Sequence, residues 1–159
     1  MLAVRLTECK HIPPYPKPVL VTCCAVACGC FCYLFGGTFL DMLIATAIGA
    51  VEQLFLFACE RKHVSHFLTN VFASLVVAIL SILAFASGLP VHHDKIIIGG
   101  IMPLVPGIVF TTSIRDFYNG DYLSGTIHLI DALLTALCIA VGICLPIVLF
   151  RYLGGGLAL

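Results

Sequence analysis

Five long apolar stretches alternate with short polar turns along the chain, and this pattern predicts the architecture. A helix needs roughly 20 mostly apolar residues to cross a hydrocarbon layer of about 30 Å. Each stretch is close to that length or longer, so we expect an all-α integral membrane protein with five transmembrane helices. The stretches cover residues 19–35, 39–57, 67–89, 96–114 and 123–150. The predicted domains are a short N-terminal segment at 1–18, a five-span domain at 19–151 and a C-terminal tail at 152–159.

Composition narrows the class of protein. Of the 159 residues, 61% are hydrophobic and 10% are charged, which leaves too little polar surface for a separate soluble domain. Lys and Arg total 8 and Asp and Glu total 8, so the chain has neither a basic field for nucleic acid nor an acidic tail. We expect a multi-pass membrane protein that contacts lipid, binds no nucleic acid and no cofactor, and is not an enzyme.

The basic residues indicate the orientation, because Lys and Arg near spans collect on the cytoplasmic side. Lys95 and Arg151 fall on one predicted face of the membrane. The basic residues of the opposite face are Arg5, Lys10, Lys17, Arg61, Lys62 and Arg115. Segment 1–18 is therefore predicted to be cytoplasmic and the C-terminus external. A cleaved signal peptide is the alternative for the first stretch, but that stretch is longer than usual and lacks a small-residue cleavage site.

Nine cysteines raise the question of a disulfide framework or a metal site. Seven of them lie inside apolar stretches, where cysteine behaves as a small hydrophobic residue. Cys24, Cys28 and Cys32 share one helix face at four-residue spacing, which would suit a soft metal ion. No histidine or methionine in that stretch completes such a site. We therefore favour helix packing by small residues and predict no metal site.

Polar and small residues form stripes in three of the stretches. In the second, Asp41 and Glu52 are separated by roughly three helical turns, so both carboxylates point the same way. The stripe of the third consists of Asn70, Ser74, Ser81 and Gly88. That of the fifth consists of Gly125, His128, Asp131, Thr135, Cys138 and Gly142. Such stripes face a bundle interior or a wet cavity rather than lipid.

The acids in the spans are candidates for proton coupling. An acid near the centre of a span costs about 2.5 to 3.5 kcal/mol on insertion scales, and the spans contain no Lys or Arg to pair with it. His128, one turn from Asp131, is the only nearby cationic candidate. We predict that Asp131 and Glu52 carry protons and that His128 tunes Asp131. The alternative is structural: Asp41 as an interfacial cap, which we favour for that residue, Glu52 hydrogen-bonded between helices, and Asp131 paired with His128 for packing.

The fourth stretch has prolines and glycines near its centre. Pro103 and Pro106 lack the N–H that a helical carbonyl four residues earlier requires, so the carbonyls of Gly99 and Met102 should lose their partners. Broken helices at membrane depth line cavities and form substrate or ion sites in secondary transporters. We predict a break rather than a simple proline kink. Its substrate-facing residues are predicted to be Gly99, Gly100, Pro103, Pro106 and Gly107.

Two further sets of residues form a longer motif. The first consists of Leu104-Val105-Pro106-Gly107, Arg115-Asp116, Asn119-Gly120-Asp121 and Ser124-Gly125. The second consists of Phe35-Gly36-Gly37 and Asp41. Together they resemble the threonine/serine exporter (ThrE) family, whose members include the YjjP-like inner-membrane proteins. The resemblance covers about residues 5–142, and the first set is the more specific. Family members carry a longer hydrophilic cytoplasmic region before the first span, and on this resemblance we expect residues 1–18 to be a shortened form of it.

The resemblance implies a secondary transporter of the bacterial cytoplasmic (inner) membrane that exports small hydrophilic metabolites, either amino acids such as threonine and serine or dicarboxylates. An ion gradient, which we expect to be of protons, would drive export. Family transporters pair two five-span halves, so this chain would supply one half and need a second copy or a five-span partner. The predicted hinge is Pro103, Pro106 and Gly107. The residues predicted to form a cytoplasmic gate network, or an ordinary solvated turn, are Arg115, Asp116, Asn119, Gly120 and Asp121. The predicted tight helix turn contains Gly36, Gly37 and Asp41.

Other classes of protein fit parts of the pattern. An intramembrane aspartyl protease also uses two buried acids, but Tyr118 stands where its Gly-x-Gly-Asp element needs the first glycine. A channel is disfavoured because the sequence has no repeated ring of charges and no carbonyl filter motif. A non-transporting membrane scaffold or assembly subunit stays open as the alternative function. The acidic character of the spans mildly favours an amino acid over a dicarboxylate as the substrate.

Overall fold

The structure, a computed structural model, describes residues 16–61, 65–87 and 90–152. In this part of the chain the elements are helices, with no strand. They are α1 (Lys17–Leu34), α2 (Phe39–Arg61), α3 (His66–Ala86), α4 (His93–Ile101), the 3₁₀ turn Met102–Leu104, α5 (Gly107–Tyr118) and α6 (Tyr122–Tyr152). Predictions that concern Arg5, Lys10, Lys62, Gly88, residues 1–15 and residues 153–159 lie outside the described residues.

Four helices, α1, α2, α3 and α6, are each long and apolar enough to cross a membrane. Two further pieces, His93–Leu104 and Gly107–Tyr118, are bent by 57° relative to one another and together form a fifth candidate span. The chain is therefore an all-α membrane protein with a broken fourth span, as the hydrophobic pattern predicted. α6 has 31 residues and is about 46 Å long at about 1.5 Å per residue, so it exceeds the hydrocarbon thickness and must tilt or project beyond it.

The break lies at the two prolines. α4 ends two residues before Pro103, and α5 begins directly after Pro106. The Met102 carbonyl does not lose its partner, which corrects the prediction for that group. It accepts the Val105 N–H at 3.3 Å. An α-helix would need an N–H four residues further on, where Pro106 has none, but a 3₁₀ turn uses the N–H three residues further on.

α4 is held against α1, α2 and α3 by close backbone approach. A Cβ atom at Gly99 would lie 2.7 Å from the Cys28 carbonyl oxygen of α1. A Cβ atom at Gly100 would lie 2.6 Å from Val77 Cγ1 of α3. Both glycines are buried, so the structure places them in a packing interface, where any side chain would clash, rather than on the predicted substrate-facing surface.

The remaining helices pack in pairs, with α1 on α2, α3 on α6 and α5 on α6. The predicted stripes lie at these interfaces. Their buried members are Asp41, Glu52, Asn70, Ser74, Ser81, Gly125, Thr135 and Gly142. At Gly142 the backbones of α6 and α3 come close, since a Cβ atom there would lie 2.5 Å from the Val71 carbonyl oxygen. Small residues thus set the helix spacing, as they commonly do in membrane bundles.

Two turns reverse the chain through glycine in the left-handed region. Gly36, with φ 84°, follows α1, and Gly120, with φ 83°, follows α5. Residues that have a side chain rarely adopt this conformation. After α5 the Asp121 N–H donates to the Asp116 carbonyl at 3.0 Å and closes the last turn of the helix. The turn predicted at Gly36 therefore has a backbone reason for its glycine.

Candidate functional site

A polar cavity lies beside the break, between α2, α3 and the 3₁₀ turn. Its volume is about 310 Å³, near the low end of the about 300–1,000 Å³ that is typical of small-molecule sites. Its lining residues are Gln53, Leu56, Glu60, His66, Thr69, Asn70, Pro103 and Leu104. Two other grooves lie along α6 and have almost wholly apolar walls. Such grooves suit lipid chains, so the polar cavity is the candidate site for a hydrophilic ligand.

The cavity wall offers both hydrogen-bond donors and acceptors. Asn70 is buried, and its Nδ2 lies 3.4 Å from His66 Nε2 one turn earlier on α3. The Thr69 hydroxyl donates to the Ser65 carbonyl at 3.1 Å, which leaves its oxygen lone pairs free to accept. Glu60 adds a carboxylate near the end of α2. A small molecule that carries an ammonium group and a hydroxyl or carboxylate group would find partners of each kind here.

Sequence reasoning found only part of this wall. It singled out Asn70 and Pro103 and missed Gln53, Glu60 and His66. The spacing of Gln53 and Glu60, two turns apart on α2, is a usable signal, because residues at that interval share a helix face. The end of one span and the start of the next lie at the same membrane depth, so these polar residues could have been paired with His66.

Glu52 faces away from the cavity, into the interface between α1 and α2. Successive helical residues diverge by about 100°, so Glu52 and Gln53 meet different surroundings. The Glu52 side chain is fully buried, and within the described residues neither of its oxygens has a hydrogen-bond partner. Among these residues the structure therefore shows no interhelical hydrogen bond for Glu52. Its near neighbours are the thiols of Cys24 and Cys28, whose sulfurs lie within 4.8 Å of a Glu52 oxygen.

Asp41 forms a capping box at the start of α2. Its Oδ2 accepts the Thr38 backbone N–H at 2.8 Å and the Thr38 hydroxyl at 2.9 Å, and the Thr38 hydroxyl oxygen accepts the Asp41 N–H at 3.3 Å. The Asp41 carboxylate also accepts the His92 N–H at 3.0 Å and lies 3.1 Å from His92 Nδ1. These contacts agree with the interpretation of Asp41 as a cap, and they extend it, because the cap also ties the α1–α2 turn to the start of α4.

Two more contacts hold the same end of the bundle. Lys95 Nζ donates to the Phe35 carbonyl at 2.8 Å, and the Ser81 hydroxyl donates to the His93 carbonyl at 2.9 Å. The first joins α4 to the end of α1, and the second joins it to α3. The first part of the broken span is therefore fixed on three sides.

His128 pairs with Asp116 rather than with Asp131. His128 Nδ1 lies 2.9 Å from Asp116 Oδ2, which corrects the expectation that His128 tunes Asp131. The physical reason is the Asn119–Asp121 turn, which folds α5 back on α6 and brings the end of α5 beside His128. Asp131 is partly exposed, and among the described residues its carboxylate accepts no hydrogen bond and joins no ion pair.

The other predicted gate residues form a turn and a cap. Asn119 and Gly120 make the turn between α5 and α6. Asp121 caps α6, since its carboxylate accepts the Ser124 hydroxyl at 2.8 Å and the Ser124 N–H at 3.2 Å. These bonds hold the pKa of Asp121 below its usual range, and the bond from the Ser124 hydroxyl has the larger effect. Arg115 is exposed, and across the described ranges it forms no ion pair, so this set has the geometry of an ordinary solvated turn.

Comparison with protein families agrees with the resemblance seen in the motifs. Residues 1–150 match the family described as "Putative threonine/serine exporter" (ThrE), a family of transporters. Comparison with curated proteins and with solved structures finds no match. The matched residues include all five spans, the break and the polar cavity. On the match over nearly its whole length, the chain belongs to the threonine/serine exporter family of membrane transporters.

Proposed function

We propose that the chain is one half of a secondary transporter that exports small hydrophilic metabolites across the bacterial cytoplasmic membrane, coupled to protons. The single observation that carries the proposal is the polar cavity beside the broken fourth span. Secondary transporters bind substrate at discontinuous helices, where unwound backbone lines a cavity. Here the cavity meets the break at Pro103 and Leu104, so a substrate would contact side chains of α2 and α3 together with the interrupted backbone.

The charge of the cavity favours an amino acid of the threonine and serine type over a dicarboxylate. Glu60 supplies an acceptor for an ammonium group, and His66 and Asn70 supply partners for a carboxylate or a hydroxyl. A dicarboxylate would need cations in place of the Glu60 carboxylate, which repels it. The family description and the cavity chemistry therefore favour the same substrate class.

The second half of the carrier is part of the proposal. The cavity is bordered by α2, α3 and the 3₁₀ turn, all on one five-span unit. Alternating-access sites lie between two such units of opposite topology. A second copy of the chain or a five-span partner would supply the other wall, with the N-terminus of this half in the cytoplasm.

The substrate role of the cavity is tested by Glu60→Gln, with Asp94→Asn as its matched control. Both acids are exposed, but Asp94 lies at the other end of the bundle, in the first turn of α4. In a deletion strain complemented with the chain and its partner, we expect Glu60→Gln to lower threonine and serine efflux about tenfold, which corresponds to losing about 1.4 kcal/mol of binding. Asp94→Asn should export normally.

Intracellular threonine, serine and dicarboxylate levels are the measurements. Unchanged amino acid export by Glu60→Gln would contradict the proposed role of the cavity. If the deletion itself leaves all three metabolites unchanged, the scaffold function is favoured instead.

Proton coupling is proposed to depend on Asp131. This acid lies within the fifth span, one of the places where transporters keep proton-relay carboxylates. Asn has the size of Asp but does not titrate, so Asp131→Asn should still exchange substrate between equal pools and should lose uphill export driven by a proton gradient. Asp131→Glu should retain part of the activity. The proton role of Glu52 stays a prediction, and the tuning of Asp131 by His128 is not part of the proposal, because His128 pairs with Asp116.

The measurement for Asp131 is transport in proteoliposomes with and without an imposed proton gradient. The control is Asp94→Asn, which removes an exposed acid at the start of α4 and keeps Asp41, Glu52 and Asp131. An Asp131→Asn protein that concentrates substrate as well as the parent would show that Asp131 is not the coupling residue.

A further inference from the structure

Two thiols and a carboxylate converge in the middle of the α1–α2 interface. Cys24 and Cys28 lie one turn apart on α1, and Glu52 faces them from α2. The two sulfurs and one Glu52 oxygen all lie within 4.8 Å of one another. Cys28 and Glu52 are fully buried, and Cys24 is partly buried. This set lies apart from the polar cavity and is not used by the proposed transport cycle.

Glu52 has the chemistry of an incomplete site. Throughout the described part of the chain, no hydrogen-bond donor reaches either of its oxygens. A buried carboxylate without a partner strongly destabilises a folded protein, and more so inside a membrane, where water is excluded. A cation bound to the Glu52 oxygens would offset this cost.

We propose that Cys24, Cys28 and Glu52 bind one divalent cation of borderline-soft character, of which Zn²⁺ is the type. Thiolate sulfur and carboxylate oxygen are both ligands of Zn²⁺, which takes four ligands and can keep one position for water. On binding, the two thiols release their protons to solvent, and the three ligand charges are opposed by the two charges of the ion.

The helix packing allows the ligands to close on an ion. Two sulfurs bound to one Zn²⁺ lie at most about 4.6 Å apart, twice a Zn–S bond of about 2.3 Å, so small side-chain rotations complete the site. Gly49, nearly one turn before Glu52, admits the thiol between the helices, because a Cβ atom there would lie 2.5 Å from Cys28 Sγ. The ligand that the first span lacks is thus supplied by the second span.

Cys32 continues the same face of α1 but is separate from this site. A Cβ atom placed on Gly37 would lie 2.9 Å from the Cys32 Sγ. A Cβ atom placed on Gly99 would lie 2.7 Å from the Cys32 Cβ. Its side chain is therefore packed against the α1–α2 turn and α4. The site consequently has two sulfur ligands rather than three.

The experiment uses Co²⁺ as a spectroscopic probe for Zn²⁺, because thiolate ligands give Co²⁺ an intense charge-transfer absorption. The full chain, purified in detergent under reducing conditions, should bind one Co²⁺ with this absorption, and Zn²⁺ should displace it. Cys24→Ser and Cys28→Ser should each remove most of the absorption, and Glu52→Gln should lower the affinity by about tenfold or more. The matched controls are Cys23→Ser and Cys30→Ser, which change exposed thiols of the same helix. They should alter neither the absorption nor the affinity for Co²⁺.

Thermal unfolding provides a second measurement that does not depend on the spectrum. Zn²⁺ should raise the melting temperature of the parent and of the two controls, because an ion that binds only the folded chain stabilises it. At the same Zn²⁺ concentration it should raise that of Glu52→Gln less, and this variant without metal should melt no lower than the metal-free parent. Equal stabilisation of the Cys24→Ser/Cys28→Ser double variant, or a thiolate absorption that survives in it, would overturn the proposal. Neither measurement involves transport, so this result and that of the transport assays are independent.

Discussion

Asp41, Glu52 and Asp131 lie in three different environments. The Asp41 carboxylate accepts bonds from Thr38 and His92, Glu52 has no hydrogen-bond partner within the described residues, and Asp131 is partly exposed on α6. Each environment favours a different role: holding the fold for Asp41, binding a cation for Glu52, and exchanging protons for Asp131. The roles proposed for Glu52 and Asp131 are tested by the experiments described above.

Asp41→Ala should destabilise the chain because it removes a capping box and the bonds to His92 together. We expect the free energy of unfolding in detergent to fall by about 2 kcal/mol, the sum of a lost cap and one hydrogen bond to a charged group. Titration of the folded chain with denaturant, followed by circular dichroism, is the measurement.

Asp94→Ala is the control for Asp41→Ala. Asp94 is also in the first turn of a helix, but it is exposed, so its loss should change the free energy of unfolding by less than about 0.5 kcal/mol. Equal losses for the two variants would mean that the Asp41 bonds do not stabilise the fold.

At the scale of elements, the broken fourth span follows from backbone chemistry. Pro103 and Pro106 remove two N–H donors, and a 3₁₀ turn with a Met102–Val105 bond replaces part of what is lost. The 57° bend lets α4 stay against α1 and α2 while α5 packs on α6. The prolines therefore determine which neighbour each piece of the span contacts.

Replacing Pro103 and Pro106 together with alanine should straighten the span and abolish export, while membrane insertion and expression stay normal. The matched control is Pro16→Ala, which changes a proline that precedes α1 and lies outside the break. Efflux of threonine and serine, with the protein level measured by blotting, is the readout. Normal export by the double variant would show that the break is not needed for transport.

The sequence predicted the five spans and the break well because both are local properties of the chain. Apolar length sets a span, and a proline removes a hydrogen bond wherever it stands. The partners of Glu52 and His128 could not be predicted in the same way, since Cys24, Cys28 and Asp116 come from other helices. Which face of one span meets which face of another depends on close backbone approach at glycines, and their spacing alone does not specify a neighbour.

At the scale of the whole molecule, the contacts at each end agree with the sides assigned from charge. Lys17 lies over the ring of Phe57 at 5.8 Å, and both were placed at the cytoplasmic end. Lys95 reaches the Phe35 carbonyl, and both were placed at the external end. The contacts agree with which span ends share a face of the membrane, and the orientation itself stays a prediction, which the next measurement tests.

Single cysteines placed at Tyr118 and Asp94, on a background free of other cysteines, should differ in access. Tyr118 is exposed at the end of α5, and Asp94 is exposed at the start of α4. A membrane-impermeant maleimide added to intact cells should label position 94 and spare position 118, since more basic residues lie on the side of position 118. Labelling of 118 from outside would reverse the predicted orientation, and lysed cells, in which both should react, serve as the control.

The joint between α4 and α5 has a mechanical consequence. α1, α2 and α4 pack on one another and α6 packs on both α3 and α5, while α3 also contacts α2 and α4 and so links these two groups of helices. The chain passes between the groups three times: after α2, after α3 and at the 3₁₀ turn. The polar cavity has one wall from each group, α2 on one side and α3 on the other. A small shift of one group against the other, which must also move the contacts of α3 with α2 and α4, should therefore change the width of the cavity without breaking any helix.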